Sequence, residues 1–246
     1  MIVIPARMHS TRLPRKMLLS DTGKPLIQHT YEAAIQATKP DRVVVATDHE
    51  EIESAVKQFG GTVIMTDPSA ASGTDRVAEV ASHFPDVSIF VNVQGDEPEI
   101  DPAAIDQAIE ALESDADAVM STLATPIDDL DQLMDPACVK VVFDGQGNAL
   151  YFSRSPIPHA RNGFEELLKA EPPLFHLHVG LYCYRSDFLK RLGTLEPTRF
   201  EKTECLEQLR VLENGFRIKT SVIPASSPGI DTSRDYSAFV KRYQCC

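Results

Sequence analysis

Apolar and polar positions along this chain alternate between two periods. Short β-branched runs at Ile2 to Ile4, Arg42 to Ala46, Thr62 to Met65, Ser88 to Val93 and Ala118 to Leu123 predict strands. Between them, Leu26 to Ala37, Glu50 to Phe59, Asp75 to His83 and Ala103 to Leu112 carry apolar residues three and four apart, the spacing of an amphipathic helix. Gly60-Gly61 closes the second of these helices. Strand and helix in strict alternation predict βαβ units around a parallel sheet.

The second half is less regular. Strand-like runs lie at Val139 to Phe143, Leu150 to Ser153, His178 to Tyr184 and Ile218 to Val222, and Asp144-Gly145-Gln146-Gly147 between the first two is a hairpin signal. Pro156, Pro158 and Pro172-Pro173 bracket a surface excursion around Ala160 to Ala170, and helices resume at Glu204 to Leu212 and Arg234 to Tyr243. With no repeat, low-complexity tract or long linker, the simplest account is one α/β domain over residues 1–246 with an inserted β-rich arm.

The stretch Val91 to Pro98, VNVQGDEP, places an amide and two carboxylates at the end of a buried-looking strand. Ligands of open α/β sheets collect at the carboxyl ends of such strands. Asp96 there suits Mg²⁺, a hard cation that takes oxygen ligands and shares them with substrate phosphates. Read alone, Gly95-Asp96 is an ordinary turn.

Composition narrows the partners. Against 24 Lys and Arg stand 36 Asp and Glu, a net charge of −12 that argues against a nucleic-acid or acidic-membrane surface. An anionic ligand must therefore meet a local basic site. The opening MIVIPAR lacks the parts of a signal peptide and no later run approaches a membrane span, so a cytoplasmic protein is expected. Five cysteines, Cys138, Cys183, Cys205, Cys245 and Cys246, show no CxxC spacing and read as reduced thiols.

That basic site follows the first strand. Pro5 to Lys16, PARMHSTRLPRK, gathers Arg7, Arg12, Arg15 and Lys16 where an α/β protein would hold a triphosphate. It contains no glycine and is not a P-loop, so side chains must supply most of the positive charge.

These segments, with GKPLI at Gly23 to Ile27, ATD at Ala46 to Asp48 and SGTDR at Ser72 to Arg76, resemble the 3-deoxy-D-manno-octulosonate (Kdo) cytidylyltransferase family. VKVVFD at Val139 to Asp144, ALYFSR at Ala149 to Arg154, HVGLYCYR at His178 to Arg185, LEQLRVLENG at Leu206 to Gly215 and GIDT at Gly229 to Thr232 extend the likeness collinearly through the chain. The resemblance implies a Rossmann-like nucleotidyltransferase fold, mostly parallel, with helices on both faces and a dimerisation arm at about 125–185. It implies transfer of CMP from CTP to the anomeric hydroxyl of Kdo, with release of pyrophosphate, for lipopolysaccharide biosynthesis.

By the same resemblance, Ala6, Arg7, Arg12 and Lys16 would meet CTP, with Ser72, Gly73, Arg76 and Gln94 beside the nucleotide. Arg15 stands where the family often has glycine. Asp96 and Asp231 would hold Mg²⁺ and, with Lys16, form the catalytic set. Arg154 would take the sugar carboxylate, with Gln94, His178, Tyr182, Glu204, Glu207 and Gln208 as hydroxyl partners, Glu204 and Gln208 sharing a helix face. No dedicated base is required, since a metal lowers the pKa of a bound hydroxyl, and His178 is a helper only. A homodimer through residues around Cys138 to Ala160 is expected by analogy.

Local readings compete at several of these positions. Ser72 to Asp75 is a helix start capped by Thr74 or Asp75, and Asp231 a cap for the last helix. His176 and His178 share a strand face and invite a zinc reading, but no nearby Cys or carboxylate completes a tetrahedral set. A hydrolase triad lacks its G-x-S-x-G elbow. A non-catalytic nucleotide-sugar sensor would tolerate loss of Asp96 or Asp231, and both are present. The closest rival substrates are 8-amino-Kdo and a sialic acid.

Overall fold

The computed structural model describes every residue except Thr11, Ala71, Cys245 and Cys246. The expectation of reduced thiols at the terminal cysteine pair lies outside the described residues. In chain order the first half comprises β1 (Ile2–Ala6), α1 (Leu26–Ala34), β2 (Val43–Thr47), α2 (Glu50–Gln58), β3 (Val63–Met65), α3 (Gly73–Ser82), β4 (Ile89–Asn92) and α4 (Pro102–Glu113). The second half comprises β5 (Ala118–Pro126), α5 (Leu130–Met134), β6 (Lys140–Phe143), β7 (Ala149–Ser153), β8 (His176–Arg185), α6 (Ser186–Leu192), α7 (Arg199–Glu204), α8 (Gln208–Glu213), β9 (Arg217–Val222) and α9 (Ser233–Gln244). The chain forms two compact units, Met1–Asp106 with Ser227–Cys246, and Gln107–Ser226. Among the described residues no helix is long and apolar enough to cross a membrane.

In the first unit, β1 is buried along its whole length and pairs in parallel with β2 and β4, while β2 pairs in parallel with β3. The strand order β3-β2-β1-β4 means that the chain winds away from β1 in both directions. The carboxyl ends of β1 and β4 therefore flank the crevice where such sheets bind ligands. The expected strands and helices are all present, with ends shifted by a few residues. Helix α2 closes through Gly60 at φ 79°, with Gly61 N–H donating to the Val56 carbonyl and Gly60 N–H to that of Lys57.

Helix α3 begins two residues before the expected Asp75. Its cap is Ser72, not Thr74 or Asp75: Ser72 Oγ accepts from Asp75 N–H and the Asp75 carboxylate accepts from Ser72 N–H. This reciprocal pair satisfies two of the amides a helix start leaves open. Helix α9 is built alike by Thr232 and Asp235, so Asp231 is not its cap.

In the second unit, β5 pairs antiparallel with β8 and parallel with β9, and β6 and β7 form the hairpin that Asp144 to Gly147 predicts. Gly147 is required there, because at φ 82° a Cβ would stand 2.8 Å from the Thr220 carbonyl oxygen. The excursion at Ala160 to Ala170 is anchored: Phe164, Leu167 and Leu168 pack on a core of Ile127, Leu133, Ala160 and Phe175. The single helix expected over Glu204 to Leu212 is instead two short ones. Cys205 adopts φ 53°, ψ 51°, which ends α7, and α8 starts only at Gln208. Glu204 and Gln208 therefore do not share a helix face.

Candidate active site

The basic loop after β1 turns inward through a short 3₁₀ segment, Lys16–Leu18. Arg15, just before it, takes the left-handed conformation, φ 57°, that glycine adopts without strain. The Arg15 side chain reaches out to the Glu51 carboxylate. The turn drives Lys16 into the protein, where it is 6% exposed. Its Nζ donates to Asp96 Oδ2 at 2.5 Å and the Ile230 carbonyl at 2.7 Å, with Asp231 Oδ1 at 3.4 Å. Arg12 reaches the same Asp231 oxygen at 2.9 Å, in an exposed pair. Arg7 is exposed just past the buried Ala6 at the end of β1.

Backbone geometry brings the two aspartates together. At Gly95 a Cβ would stand 2.9 Å from the Pro5 carbonyl oxygen and 3.2 Å from Met17 Sδ, so only glycine lets the turn after β4 pass this close to β1. The Gly95 carbonyl accepts from Thr30 Oγ1. Ile230 N–H donates to the Asp96 carbonyl at 2.9 Å, and Ile230 itself is buried with Leu13, Leu26, Tyr236 and Phe239. Two carboxylates and a backbone carbonyl thus converge on one point that Lys16 Nζ occupies. Asp96 and Asp231 each keep a second carboxylate oxygen that Lys16 does not engage, and such oxygens suit a hard divalent cation such as Mg²⁺ beside the ammonium, since that ion keeps waters and needs few protein ligands. Among the described residues no group of three or more His, Cys, Asp or Glu is arranged to hold a metal.

Glu97 differs sharply from its neighbour. It keeps some surface, but its carboxyl lies deep among protein atoms; burial and then the charge of Asp96 push it up to about 8.

Around the nucleotide candidates, Gly73 packs on Pro5: a Cβ would lie 3.5 Å from Pro5 Cγ and 4.0 Å from Gln94 Oε1. Gln94 Nε2 donates to Asn92 Oδ1, and Ser72 is engaged in its cap. Arg76 is held internally. It is 4% exposed, with Nη2 on Asp48 Oδ2 at 2.7 Å and Nη1 on Thr66 Oγ1 at 2.7 Å and the Asp67 carbonyl. Its guanidinium is committed internally, tying α3 to the residues after β2 and β3.

The sugar candidates lie in the second unit. Glu204, at the end of α7, accepts from Ser153 Oγ at 2.7 Å and Arg154 N–H at 3.0 Å. Arg154 Nε donates to the Glu204 carbonyl and Nη1 to that of Pro136, and among the described residues Nη2 has no partner. Gln208 is 4% exposed, and its Nε2 likewise lacks a partner among the described residues. Glu207 is exposed in the break between α7 and α8. On β8, His178 contacts Phe152 and Tyr182 through its ring and Thr122 Oγ1 through Nε2 at 2.9 Å. His176 is buried against Phe143 instead.

Residues 1–220 match the model of a cytidylyltransferase family. Proteins named 3-deoxy-manno-octulosonate cytidylyltransferase are 46% identical in Rhodopirellula baltica, over 99% of this chain and 98% of that protein, and 49% identical in Geobacter metallireducens, over 98% and 96%. The chain belongs to the 3-deoxy-manno-octulosonate cytidylyltransferase family. A solved structure described as CMP:2-keto-3-deoxy-manno-octonic acid synthetase complexed with CTP is similar at a TM-score of 0.91 and 41% identity, covering 99% of this chain and 98% of that one.

Within this cytidylyltransferase, two supporting residues escaped the sequence reading. Lys140 is fully buried and donates to the carbonyls of Asp135, Cys138 and Arg154 at 3.0, 2.6 and 2.5 Å, which fixes the backbone carrying Arg154. Its signal was a lysine amid the apolar residues of VKVV. The Ile230 carbonyl had none, since backbone groups carry no sequence mark.

His178 gives this family member a testable pH dependence. Its residue is partly exposed, but burial of the imidazole lowers its pKa from 6.5 to about 3. Between those values the unfolded chain binds a proton that the folded chain does not, so this group's contribution is present at neutral pH and lost as pH falls. At about 1.4 kcal/mol per pH unit, the loss from pH 7 to pH 5 is about 2 kcal/mol. In urea unfolding, His178→Gln is expected to lose about that much less than the unaltered chain over the same interval; parallel losses would show that His178 titrates normally.

Proposed function

We propose that this chain transfers CMP from CTP to the anomeric hydroxyl of Kdo, releasing pyrophosphate, with Mg²⁺ as its cofactor. The observation that carries this reading is the convergence of Arg12, Lys16, Asp96 and Asp231 where the strand order reverses. Most of the site's positive charge is on side chains, as a triphosphate held without a P-loop demands.

In the reaction the anomeric oxygen attacks the α-phosphorus, the bond to the bridging oxygen of pyrophosphate breaks, and the hydroxyl proton passes to solvent water. Arg7, Arg12 and Lys16 neutralise the phosphate oxygens and orient the chain of phosphates for in-line attack. Asp96 and Asp231 hold Mg²⁺, which when bound offsets charge on the α-phosphate and the leaving group. Gly73 and Gln94 border the nucleotide, while Arg76 acts through Asp48 in holding α3. Arg154 Nη2 takes the sugar carboxylate, and the unpartnered Gln208 Nε2 takes a sugar hydroxyl. A buried donor left without a partner costs about 1–3 kcal/mol, which a hydroxyl of the bound sugar acid would recover. His178 and Tyr182 border the same acid.

Two further parts of the reading are a cytoplasmic location, where CTP is made, and a homodimer. Leu130, Met134, Leu150 and Leu174, all on the β-rich arm, are exposed and supply apolar surface for a second copy.

Pyrophosphate release from purified protein with CTP and Mg²⁺ tests the reading across Kdo, 8-amino-Kdo and N-acetylneuraminate. Release is expected with Kdo and is expected to stop on chelation of the metal. No release with either Kdo acid would overturn the proposal.

A further inference from the structure

Strand β8 carries extra residues against β5: Thr122 pairs with Tyr182, but the next residue, Leu123, pairs with Val179. Such a bulge interrupts the ladder, leaves backbone groups to be satisfied otherwise and re-aims nearby side chains. The fully buried Thr122 fills the gap. Its Oγ1 lies 2.9 Å from the Leu181 carbonyl oxygen, 3.1 Å from that of Val179 and 2.9 Å from His178 Nε2. A hydroxyl has one proton and two lone pairs. Two of these three neighbours are carbonyls, which only accept. If the proton pointed to the imidazole, both carbonyl oxygens would press on oxygen lone pairs with no hydrogen between them. The proton therefore goes to the carbonyls, and Oγ1 accepts from Nε2–H.

We infer that Thr122 is a positioning residue that holds His178 as its Nε2–H tautomer, so that the bare Nδ1 accepts a hydrogen bond from a hydroxyl of the sugar acid. The second half of the inference rests on the reading that His178 borders the sugar. A neutral imidazole has one donor and one acceptor, and the partner of one nitrogen decides the role of the other. Among the described residues Nδ1 has no hydrogen-bond partner. The imidazole, kept neutral by burial, holds that acceptor through the physiological range. Tyr182 flanks the ring at 5.5 Å and Phe152 at 4.9 Å, which limits its rotation.

The tautomer is read directly from long-range ¹H–¹⁵N spectra of histidine-labelled protein at neutral pH, with His178→Gln assigning the signal. The protonated nitrogen is expected to couple strongly to both ring C–H protons, the pattern of Nε2–H. Thr122→Val keeps the branched shape without the hydroxyl; it is expected to lose that single tautomer and to raise KM for Kdo about tenfold, the size of one hydrogen bond. KM for CTP is expected to stay within about twofold, and Thr122→Ser to restore both the spectrum and KM. An Nδ1–H pattern in the unaltered protein overturns the inference, and needs no variant to fold. An Nε2–H pattern with KM for Kdo unmoved in both Thr122→Val and His178→Gln removes the sugar-facing role of His178, and with it the acceptor proposed here, while the tautomer assignment stands.

Discussion

Asp96→Asn is expected to lower kcat for CMP transfer by about 10²- to 10⁴-fold while the protein stays folded, at a cost of no more than about 1–3 kcal/mol of stability. The substitution keeps the shape of the side chain and an oxygen that accepts from Lys16 Nζ, now 2.5 Å from Oδ2. The backbone bond from Ile230 N–H to the residue-96 carbonyl does not involve the side chain and persists. On the proposed reading, what is lost is one of the two anionic groups that would hold the metal. Such an ion supplies several kcal/mol of transition-state charge stabilisation, and each 1.36 kcal/mol is tenfold in rate. Pyrophosphate release beside a thermal melt separates the two effects. Near-normal turnover would remove Asp96 from the metal site; a collapsed melt would make its role structural.

Lys16→Met has the second-largest expected effect, and it has two parts. Lys16 Nζ is the cation against which Asp96, Asp231 and the Ile230 carbonyl are gathered, with its side chain 7% exposed. Removing one partner of a buried pair leaves the others unsatisfied. The aspartate side chains are 26% and 47% exposed, so water and Arg12 screen part of the loss, and about 1–3 kcal/mol of stability is expected to go. The catalytic part is a fall in kcat/KM for CTP of about 10²-fold or more, from one charge missing at the triphosphate. Added Mg²⁺ is expected to recover stability, because the cation compensates the carboxylates, but not turnover. Equal recovery of both would make Lys16 a structural counter-ion alone.

Much of the first unit was legible because its signals are local. Runs such as IVI and VVVA declare strands, and spacing by three and four declares helices, so β1 to β4 and α1 to α4 could be placed within a few residues. The basic loop and Asp96 were legible because strand ends are where the fold puts chemistry. Helix starts were harder: Ser72 and Thr232 are the caps, while Thr74, Asp75 and Asp231 offered equally good side chains nearby. The α7–α8 break was not legible. Nothing in Glu204 to Leu212 interrupts a helical pattern, yet the Glu204 carboxylate turns to Ser153 and Arg154, and Cys205 takes a left-handed conformation at the break.

The sequence by itself determined the alternation of strand and helix, the family, and which residue types could bind phosphate, metal and a sugar acid. Only the tertiary structure decided which of them meet. Lys16 finds its partners 80 and 215 residues away, Arg76 is committed to Asp48, and the Thr122 hydroxyl meets the His178 ring 56 residues on. The physical reason is common to all three. A side chain's chemical capacity is written in its own residue, but its partner is set by strand register, bulges and loop closure, which depend on the packing of the whole unit.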